Sequence, residues 1–192
     1  LDTRTATDPV NGDVDPTTGE YEAFNEMVIT GFETGSNPVA TDTADVTYDK
    51  LPKSLGKLTA LIDAYGYGNK EGLYPEMLKE LDGLANEFIT KFNDVHKLGY
   101  TLGDPNSNPP VISEKDIEFF EGTTARDFKV VITEHKKIAA SEALDEEGNN
   151  KNILALAKLQ SAVQGNLQGG TFQSFYKSLI GDLGVKGKQA VM

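Results

Sequence analysis

Apolar side chains recur at intervals of three and four residues between positions 74 and 98, which is the spacing of one face of an α-helix. This apolar stripe comprises Tyr74, Met77, Leu81, Leu84, Phe88, Phe92 and Val95. Pro75 suits the first turn of a helix, where its missing N–H costs no hydrogen bond. Lys97 brings positive charge to the negative end of the helix dipole, and Gly99 is expected to leave the helix in the left-handed conformation. The pattern predicts one long helix over residues 75–98.

A shorter helical pattern precedes the long one. Ser54 stands where its hydroxyl would cap the first turn, and the pattern ends at Gly66-Tyr67-Gly68. Its apolar positions are Leu55, Leu58, Leu61, Ile62 and Tyr65. The spacing predicts a helix of about three turns before the glycines.

Two more helices are predicted in the last quarter of the chain. Asn152 is expected to cap the first, which ends near Gly165, and its core face comprises Ile153, Leu156, Leu159 and Val163. Thr171 is expected to cap the second, and Gly184 to close it, although the tail 185–192 is also compatible with helix. The inward face of this last helix comprises Phe172, Phe175, Tyr176, Leu179 and Leu183.

Strand patterns occupy two other parts of the chain. Near the N-terminus, Met27–Thr30 and Asp45–Tyr48 are predicted strands, and Pro and Gly predict turns at 8–12 and 15–19. Between the helices, residues 117–120 and 128–133 are predicted to form a hairpin around Gly122. The segment 128–133 is rich in aromatic and β-branched residues, the types that strands favour.

These elements predict an α+β fold, a mostly helical elongated bundle with short antiparallel strands and hairpins. Residues 1–50 carry eleven acidic against two basic side chains, so most of the net charge of −12 lies there. We therefore predict an acidic, strand-rich region over 1–50 and a helical core domain over 51–192, with a β-hairpin insertion around 111–137.

The composition excludes several functions. The chain has no cysteine, which rules out disulfides, thiol catalysis and thiolate metal ligands. Its acidity disfavours binding to nucleic-acid phosphates or anionic lipids, which requires clustered Lys and Arg. No stretch approaches the roughly 20 apolar residues of a membrane span, and the N-terminus lacks the apolar core of a signal peptide. The start at Leu1 rather than Met suggests a piece of a longer protein.

The two histidines have different settings in the sequence. His96 falls in the last turn of the long helix, where the helix dipole favours an imidazolium, so we expect a structural role. His135 lies between Glu134 and Lys136, without a second His or Cys nearby to complete a metal site, and is interpreted as a solvated loop residue.

Motifs for known chemistries are incomplete. The chain has no Gly-x-Ser-x-Gly elbow, and its glycine pairs lack the rest of a phosphate-binding loop. Counted from Asp13, a calcium loop would need Gly at the position of Thr18 and Glu at that of Phe24. We predict no catalytic, cofactor-binding or metal-binding residue, and no enzyme activity. With 30 acidic residues, a carboxylate pair for glycoside hydrolysis stays open as the alternative.

The end of the long helix carries the motif Asn93-x-x-His96-x-x-Gly99-Tyr100, which resembles the bacterial flagellar hook-associated protein 1 family. Other segments resemble that family in the same order, namely 54–64, 84–100, 119–122, 138–141, 152–160, 171–176 and 180–184. The resemblance covers residues 54–192, whereas residues 1–50 share only their strand-rich character.

The resemblance implies a structural adaptor between the flagellar hook and the filament, extracellular and exported without a cleaved signal peptide. The implied partners are the hook protein, hook-associated protein 3 and further copies of the same protein. The family's terminal heptad helices are missing from this sequence, so this chain by itself is expected to be a monomer. The alternatives are a flagellin-like or hook-associated protein 3-like structural protein and, in another class, a secreted carbohydrate-active enzyme.

Overall fold

The computed structural model describes residues 2–4, 26–32, 40–51, 56–104 and 106–191. Its described elements are β1 (Asp2–Arg4), β2 (Glu26–Phe32), β3 (Ala40–Thr47), α1 (Lys57–Tyr65), α2 (Leu73–His96), β4 (Phe120–Glu121), β5 (Lys129–Val130), α3 (Lys151–Lys158) and α4 (Phe172–Val191). Short 3-10 turns lie at Tyr48–Lys50, His135–Lys137 and Gly165–Leu167. The predicted α+β, mostly helical fold class is confirmed.

The chain divides into two compact units, Leu1–Leu78 and Lys79–Met192, and the division falls within α2. These units are defined by packing. The predicted regions 1–50 and 51–192 rest on charge and composition instead, and they stay a prediction.

The first unit contains a three-stranded antiparallel sheet in the order β1-β2-β3. The predicted strand Met27–Thr30 lies within β2 and is confirmed. The second predicted strand is displaced, since β3 ends at Thr47 and Tyr48 opens a 3-10 turn. The turns predicted at 8–12 and 15–19 lie outside the described residues.

Helix α1 begins later than predicted. Gly56, with φ of 57°, occupies the N-cap, and its carbonyl accepts the N–H of Ala60 at 3.1 Å. The predicted cap, Ser54, lies outside the described residues, and the described chain enters the helix through a glycine with positive φ. The predicted end is confirmed, since the N–H of Gly66 donates to the carbonyl of Ile62 at 2.8 Å.

The core of the first unit is small in its described part. Ile62 and Leu51 are buried together against Tyr48 and Tyr67, whose rings stack with centroids 3.6 Å apart. Other positions of the predicted α1 stripe face outward, and Leu61 is 61% exposed. Regular apolar spacing therefore overestimates the buried face of this helix.

Helix α2 is the longest described element, at 24 residues. It starts and ends two residues before the predicted limits, and Pro75 lies in its first turn as expected. The expected left-handed exit at Gly99 is wrong, because the φ angle of Gly99 is not positive. The helix instead tightens at its end, where the N–H of Gly99 donates to the carbonyl of His96 at 3.1 Å.

The predicted hairpin around Gly122 is confirmed, but its strands are much shorter than predicted. Only Phe120 and Glu121 pair with Val130 and Lys129. Residues 117–119 do not extend β4, because His96 binds the carbonyl of Ile117 and Asn93 binds the N–H of Phe119. Competition from a neighbouring helix thus shortens a segment that has high strand propensity.

The last two helices differ from their predictions at their ends. Helix α3 has Asn150 at its N-cap and stops at Lys158, so Asn152 is not its cap and the predicted end near Gly165 is wrong. The cap at Thr171 is confirmed, since its hydroxyl accepts the N–H of Ser174 at 3.1 Å. Gly184 does not close α4, which continues to Val191 and also contains Gly181 and Gly187, although each glycine costs a helix about 1 kcal/mol.

Phenylalanine rings connect α2, the hairpin and α4 within the second unit. The ring of Phe88 lies 5.5 Å from that of Phe120, 6.1 Å from Phe128 and 5.3 Å from Phe172. Tilted and edge-on aromatic pairs at such separations are favourable beyond their buried area. We call Phe88, Phe92, Phe119, Phe120, Phe128 and Phe172 the phenylalanine cluster. It confirms that the middle of the α2 stripe faces inward, whereas Tyr74 at the start of the stripe is half exposed.

Candidate functional site

The C-terminal turns of α2 present polar side chains to a buried surface. Asn93 and His96 are three residues apart, so both project from the same face of the helix. Both are buried, as is Asn152 of α3. We call these three residues the buried polar cluster.

Asn93 binds the backbone of β4 as a neighbouring strand would. Its Oδ1 accepts the N–H of Phe119 at 2.9 Å and that of Phe120 at 3.0 Å, and its Nδ2 donates to the carbonyl of Phe120 at 2.8 Å. Both backbone groups of Phe120 are therefore satisfied away from water, where an unmade hydrogen bond would cost about 1–3 kcal/mol.

His96 is fully buried and uses both ring nitrogens. Nδ1 lies 2.7 Å from the carbonyl oxygen of Ile117, and the N–H of Ala139 donates to Nε2 at 2.9 Å. A carbonyl only accepts and an N–H only donates, so the proton sits on Nδ1 and the ring is neutral. The expected structural role holds, but the expected imidazolium is wrong, because Nε2 serves as an acceptor.

Gly99 and Asn152 complete the contact behind His96. The Nδ2 of Asn152 donates to the carbonyl of Ala139 at 2.6 Å. A Cβ on Gly99 would meet that same carbonyl oxygen at 2.6 Å and the Asn152 side chain as well. Gly99 is thus required for close approach. Next to it, the N–H of Tyr100 donates to the carbonyl of Ser141 at 2.7 Å.

The sequence motif at the end of the long helix therefore corresponds to one set of packing contacts between α2 and two later segments. Asn93 and His96 bind the segment 117–120, while His96, Gly99 and Tyr100 hold the segment 138–141. The sequence pattern predicted Asn152 as a helix cap and did not indicate its buried hydrogen bond to Ala139. The Asn-rich start of a helix carries no signal that distinguishes a cap from a buried donor.

A groove of about 560 Å³ runs between α2 and the hairpin in the second unit. Its floor includes the buried side chains of Ile89 and Phe120. Four carboxylates line it, those of Asp94, Glu118, Glu121 and Asp127. The groove is thus the place in the described chain to examine for the carboxylate pair of the enzyme alternative.

Three of these carboxylates are engaged with other groups. Glu118 lies 2.6 Å from the ammonium of Lys97, and Glu121 lies 3.3 Å from that of Lys129. The ion pair with Glu118 is the main cause that raises the pKa of Lys97 above its usual value. These pairs are solvent-exposed, so each contributes little to stability.

Asp127 organises the loop that joins the two hairpin strands. Its Oδ1 accepts the N–H of Thr123 at 3.0 Å and that of Thr124 at 2.7 Å. The Thr124 hydroxyl and these N–H groups lower the pKa of the Asp127 carboxyl. A general acid needs a raised pKa, so Asp127 is unsuited to the proton-donating half of a glycosidase pair.

His135 is exposed at the start of a 3-10 turn, as predicted for a solvated residue. Among the described residues, no group of three or more His, Asp or Glu side chains is arranged to hold a metal ion. The predicted absence of catalytic, cofactor and metal residues stays a prediction. None of the described helices is long and apolar enough to cross a membrane.

The chain is similar to flagellar hook-associated protein 1 of Bacillus subtilis (strain 168), with 30% identity over 154 residues. The match covers 71% of this chain and 29% of the relative, so the chain spans less than a third of the length of that protein. The two are distantly related. No protein-family model matches the chain, and no solved structure matches it.

Proposed function

We propose that this chain is a structural component of the bacterial flagellum and that it forms part of an adaptor between hook and filament. The observation that carries the proposal is the 30% identity over 154 residues to flagellar hook-associated protein 1. The geometry of the motif at the end of α2 supports the proposal, because the side chains of Asn93 and His96 form hydrogen bonds with backbone groups inside the chain.

A buried cluster of this kind suits a rigid structural protein. All side-chain nitrogens and oxygens of Asn93 and His96 are matched by backbone groups, and such satisfied buried networks favour one rigid arrangement. An adaptor has to keep one shape while neighbouring parts rotate with it, and it needs no titrating side chain. The polar atoms of Asn93 and His96 are unavailable to a substrate.

On this proposal the whole protein binds the hook protein, hook-associated protein 3 and further copies of itself. It is located outside the cell in the flagellum, after export without a cleaved signal peptide. A flagellin-like or hook-associated protein 3-like role is the alternative within the same class. The isolated chain of 20.8 kDa is expected to be a monomer.

A chimera tests the proposal. The matching segment of Bacillus subtilis flagellar hook-associated protein 1 is replaced by the matching residues of this chain, in cells that lack their own copy. We expect filaments attached to the hooks, seen by electron microscopy, and recovered swimming. Export of a folded chimera into the medium, without any attached filament, would contradict the adaptor role.

The groove between α2 and the hairpin keeps a carbohydrate-active enzyme as a second candidate, since it places several carboxylates around one cavity. A screen with chromogenic glycosides tests it. We expect no turnover. Turnover that is lost in both Glu118→Gln and Asp127→Asn, with unchanged melting temperature, would favour the enzyme instead.

A further inference from the structure

The two edges of the hairpin differ in how their backbone groups are used. On the β4 side, Asn93 takes the N–H and the carbonyl of Phe120. On the β5 side, the N–H of Val131 donates to the carbonyl of Phe119 at 3.0 Å, which sets the phase of the pairing. Because hydrogen-bonding direction alternates along a strand, the N–H and carbonyl of Val130 point away from β4. Within the described residues, no backbone group pairs with this edge of β5.

The segment along this edge has more strand character than the hairpin uses. Residues 128–133 are aromatic or β-branched except for Lys129, yet only Lys129 and Val130 form β5. Val130 is 54% exposed and Phe128 is 41% exposed. Edges accept another extended chain unless charge, proline or a covering element blocks them, and the charge on this edge is Lys129, which disfavours basic strands rather than acidic ones.

The side chains at the edge indicate what such a chain would carry. Val130 pairs with buried Phe120, so their face of the hairpin is apolar next to an added strand. On the opposite face, Lys129 has Glu121 as its cross-strand neighbour on the β4 side, and an added strand would lie on its other side. An acidic residue on the free side of Lys129 would be favourable, and a basic one unfavourable.

Charge also argues against a second copy of this chain as the occupant. The stretch 126–137 contains four basic side chains, Arg126, Lys129, Lys136 and Lys137, against Asp127 and Glu134. If two copies paired antiparallel about Val130, Lys129 would lie opposite Val131 and diagonally next to Lys129 of the second copy, with no carboxylate beside it from that copy. Lys129 and Lys137 already pair with Glu121 and Glu114, so the preference for an acidic partner rests on the free side of Lys129.

We propose that the open edge of β5 binds an extended peptide segment of another protein, in which apolar side chains alternate with acidic or hydroxyl ones. The segment adds a third strand through the backbone of Val130, packs its apolar residues beside the Phe120–Val130 pair and places a carboxylate beside Lys129. Backbone pairing supplies affinity, and the alternating side chains supply selectivity.

The probe is the hexapeptide Thr-Val-Glu-Val-Thr-Val with both termini blocked. The matched control is the same peptide with Lys in place of Glu. Binding to the full chain is followed by fluorescence anisotropy, and the site by NMR amide shifts. We expect the Glu peptide to slow hydrogen exchange at the Val130 amide and to bind at least about tenfold more tightly than the Lys peptide.

Two variants of the chain locate the contact. Val130→Pro removes the outward N–H and also restricts φ at residue 130, and we expect at least about tenfold weaker binding of the Glu peptide with the hairpin retained. Val130→Thr keeps that N–H and the strand propensity, and we expect binding close to that of the unchanged chain. If Val130→Pro disturbs the Phe119 and Phe120 ring signals, the Lys129→Glu variant tests the contact instead. It should bind the Lys peptide more tightly than the Glu peptide.

No binding of either peptide, or equal binding to Val130→Pro with an intact hairpin, would overturn the proposal. Concentration-dependent shifts of the Val130 amide without peptide would show that a second copy occupies the edge, and they would overturn it too. The inference rests on the hairpin alone, so its failure leaves the proposed flagellar role unaffected.

Discussion

The second unit buries polar groups within an aromatic core, whereas the described core of the first unit is a small apolar cluster. His96 and Asn93 are enclosed and hydrogen-bonded among phenylalanines. In the first unit, Ile62 and Leu51 are buried while Leu61 of the same helix faces solvent. Helices α1 and α2 show the same regular apolar spacing. What distinguishes them is whether a second surface packs against the stripe, so equal substitutions should have very unequal costs.

The largest difference is expected between the two apolar stripes. Phe88→Asp places a charge among four phenylalanine rings and should lower the free energy of unfolding by at least about 4 kcal/mol. The matched change Leu61→Asp, at an exposed position of α1, should change it by less than about 0.5 kcal/mol. Urea unfolding followed by circular dichroism measures both. Equal losses would mean that the stripes are buried alike.

The two histidines give the next comparison. His96→Phe retains the ring volume but leaves the N–H of Ala139 and the carbonyl of Ile117 buried without partners. We expect a loss of about 3 kcal/mol. His135→Phe, at an exposed site, should be nearly neutral. A neutral outcome at His96 would show that its two hydrogen bonds do not hold the segments 117–120 and 138–141.

Two glycines in or after α2 should respond with opposite signs. Gly99→Ala forces a methyl group against the carbonyl oxygen of Ala139 and should destabilise the chain by about 2 kcal/mol. Gly83→Ala meets nothing within 4 Å and should stabilise α2 by about 0.5–1 kcal/mol. Thermal melting of the two variants tests this prediction. If both variants were stabilised, the close contact inferred between Gly99 and the carbonyl of Ala139 would be contradicted.

The hairpin loop should respond to acid through Asp127. Its pKa is lowered in the folded chain, so its contribution is present above the ordinary value of 3.8 and is lost as pH falls through the lower folded value. The amide signals of Thr123 and Thr124 should follow this loss in an NMR titration. In Asp127→Asn the acid-dependent change should disappear, because the amide oxygen accepts the same bonds without titrating.

The smallest effect is expected at Tyr48 in the first unit. Tyr48→Phe removes the hydrogen bond to the Asp63 carboxylate but keeps the stack on Tyr67, so we expect a loss of about 0.5 kcal/mol. That bond raises the pKa of the Tyr48 phenol above 10.0, so its contribution exists at neutral pH and is lost only as pH rises through the raised value. Absorbance titration of the phenols should show one late ionisation that the variant lacks.

Much of the architecture could be predicted from local pattern. The spacing of the α2 stripe, the hydroxyl of Thr171 before α4 and the turn at Gly122 each act over a few residues, and the structure confirms all three. The motif at the end of α2 was also recognisable in the sequence as a unit. Periodicity could not show which stripe is covered, as the exposed face of α1 demonstrates.

The length of the hairpin strands, the tautomer of His96 and the role of Asn152 were decided only by the tertiary structure. Each depends on a group more than 20 residues away: Asn93 binds the N–H of Phe119, and Ala139 donates to Nε2 of His96. The Asn152 amide likewise meets the end of α2. The sequence by itself determined which segments become helices and where the hairpin turns, because periodicity and turn chemistry are local. Which polar groups are buried together was decided by folding, because hydrogen-bond partners are chosen in space rather than along the chain.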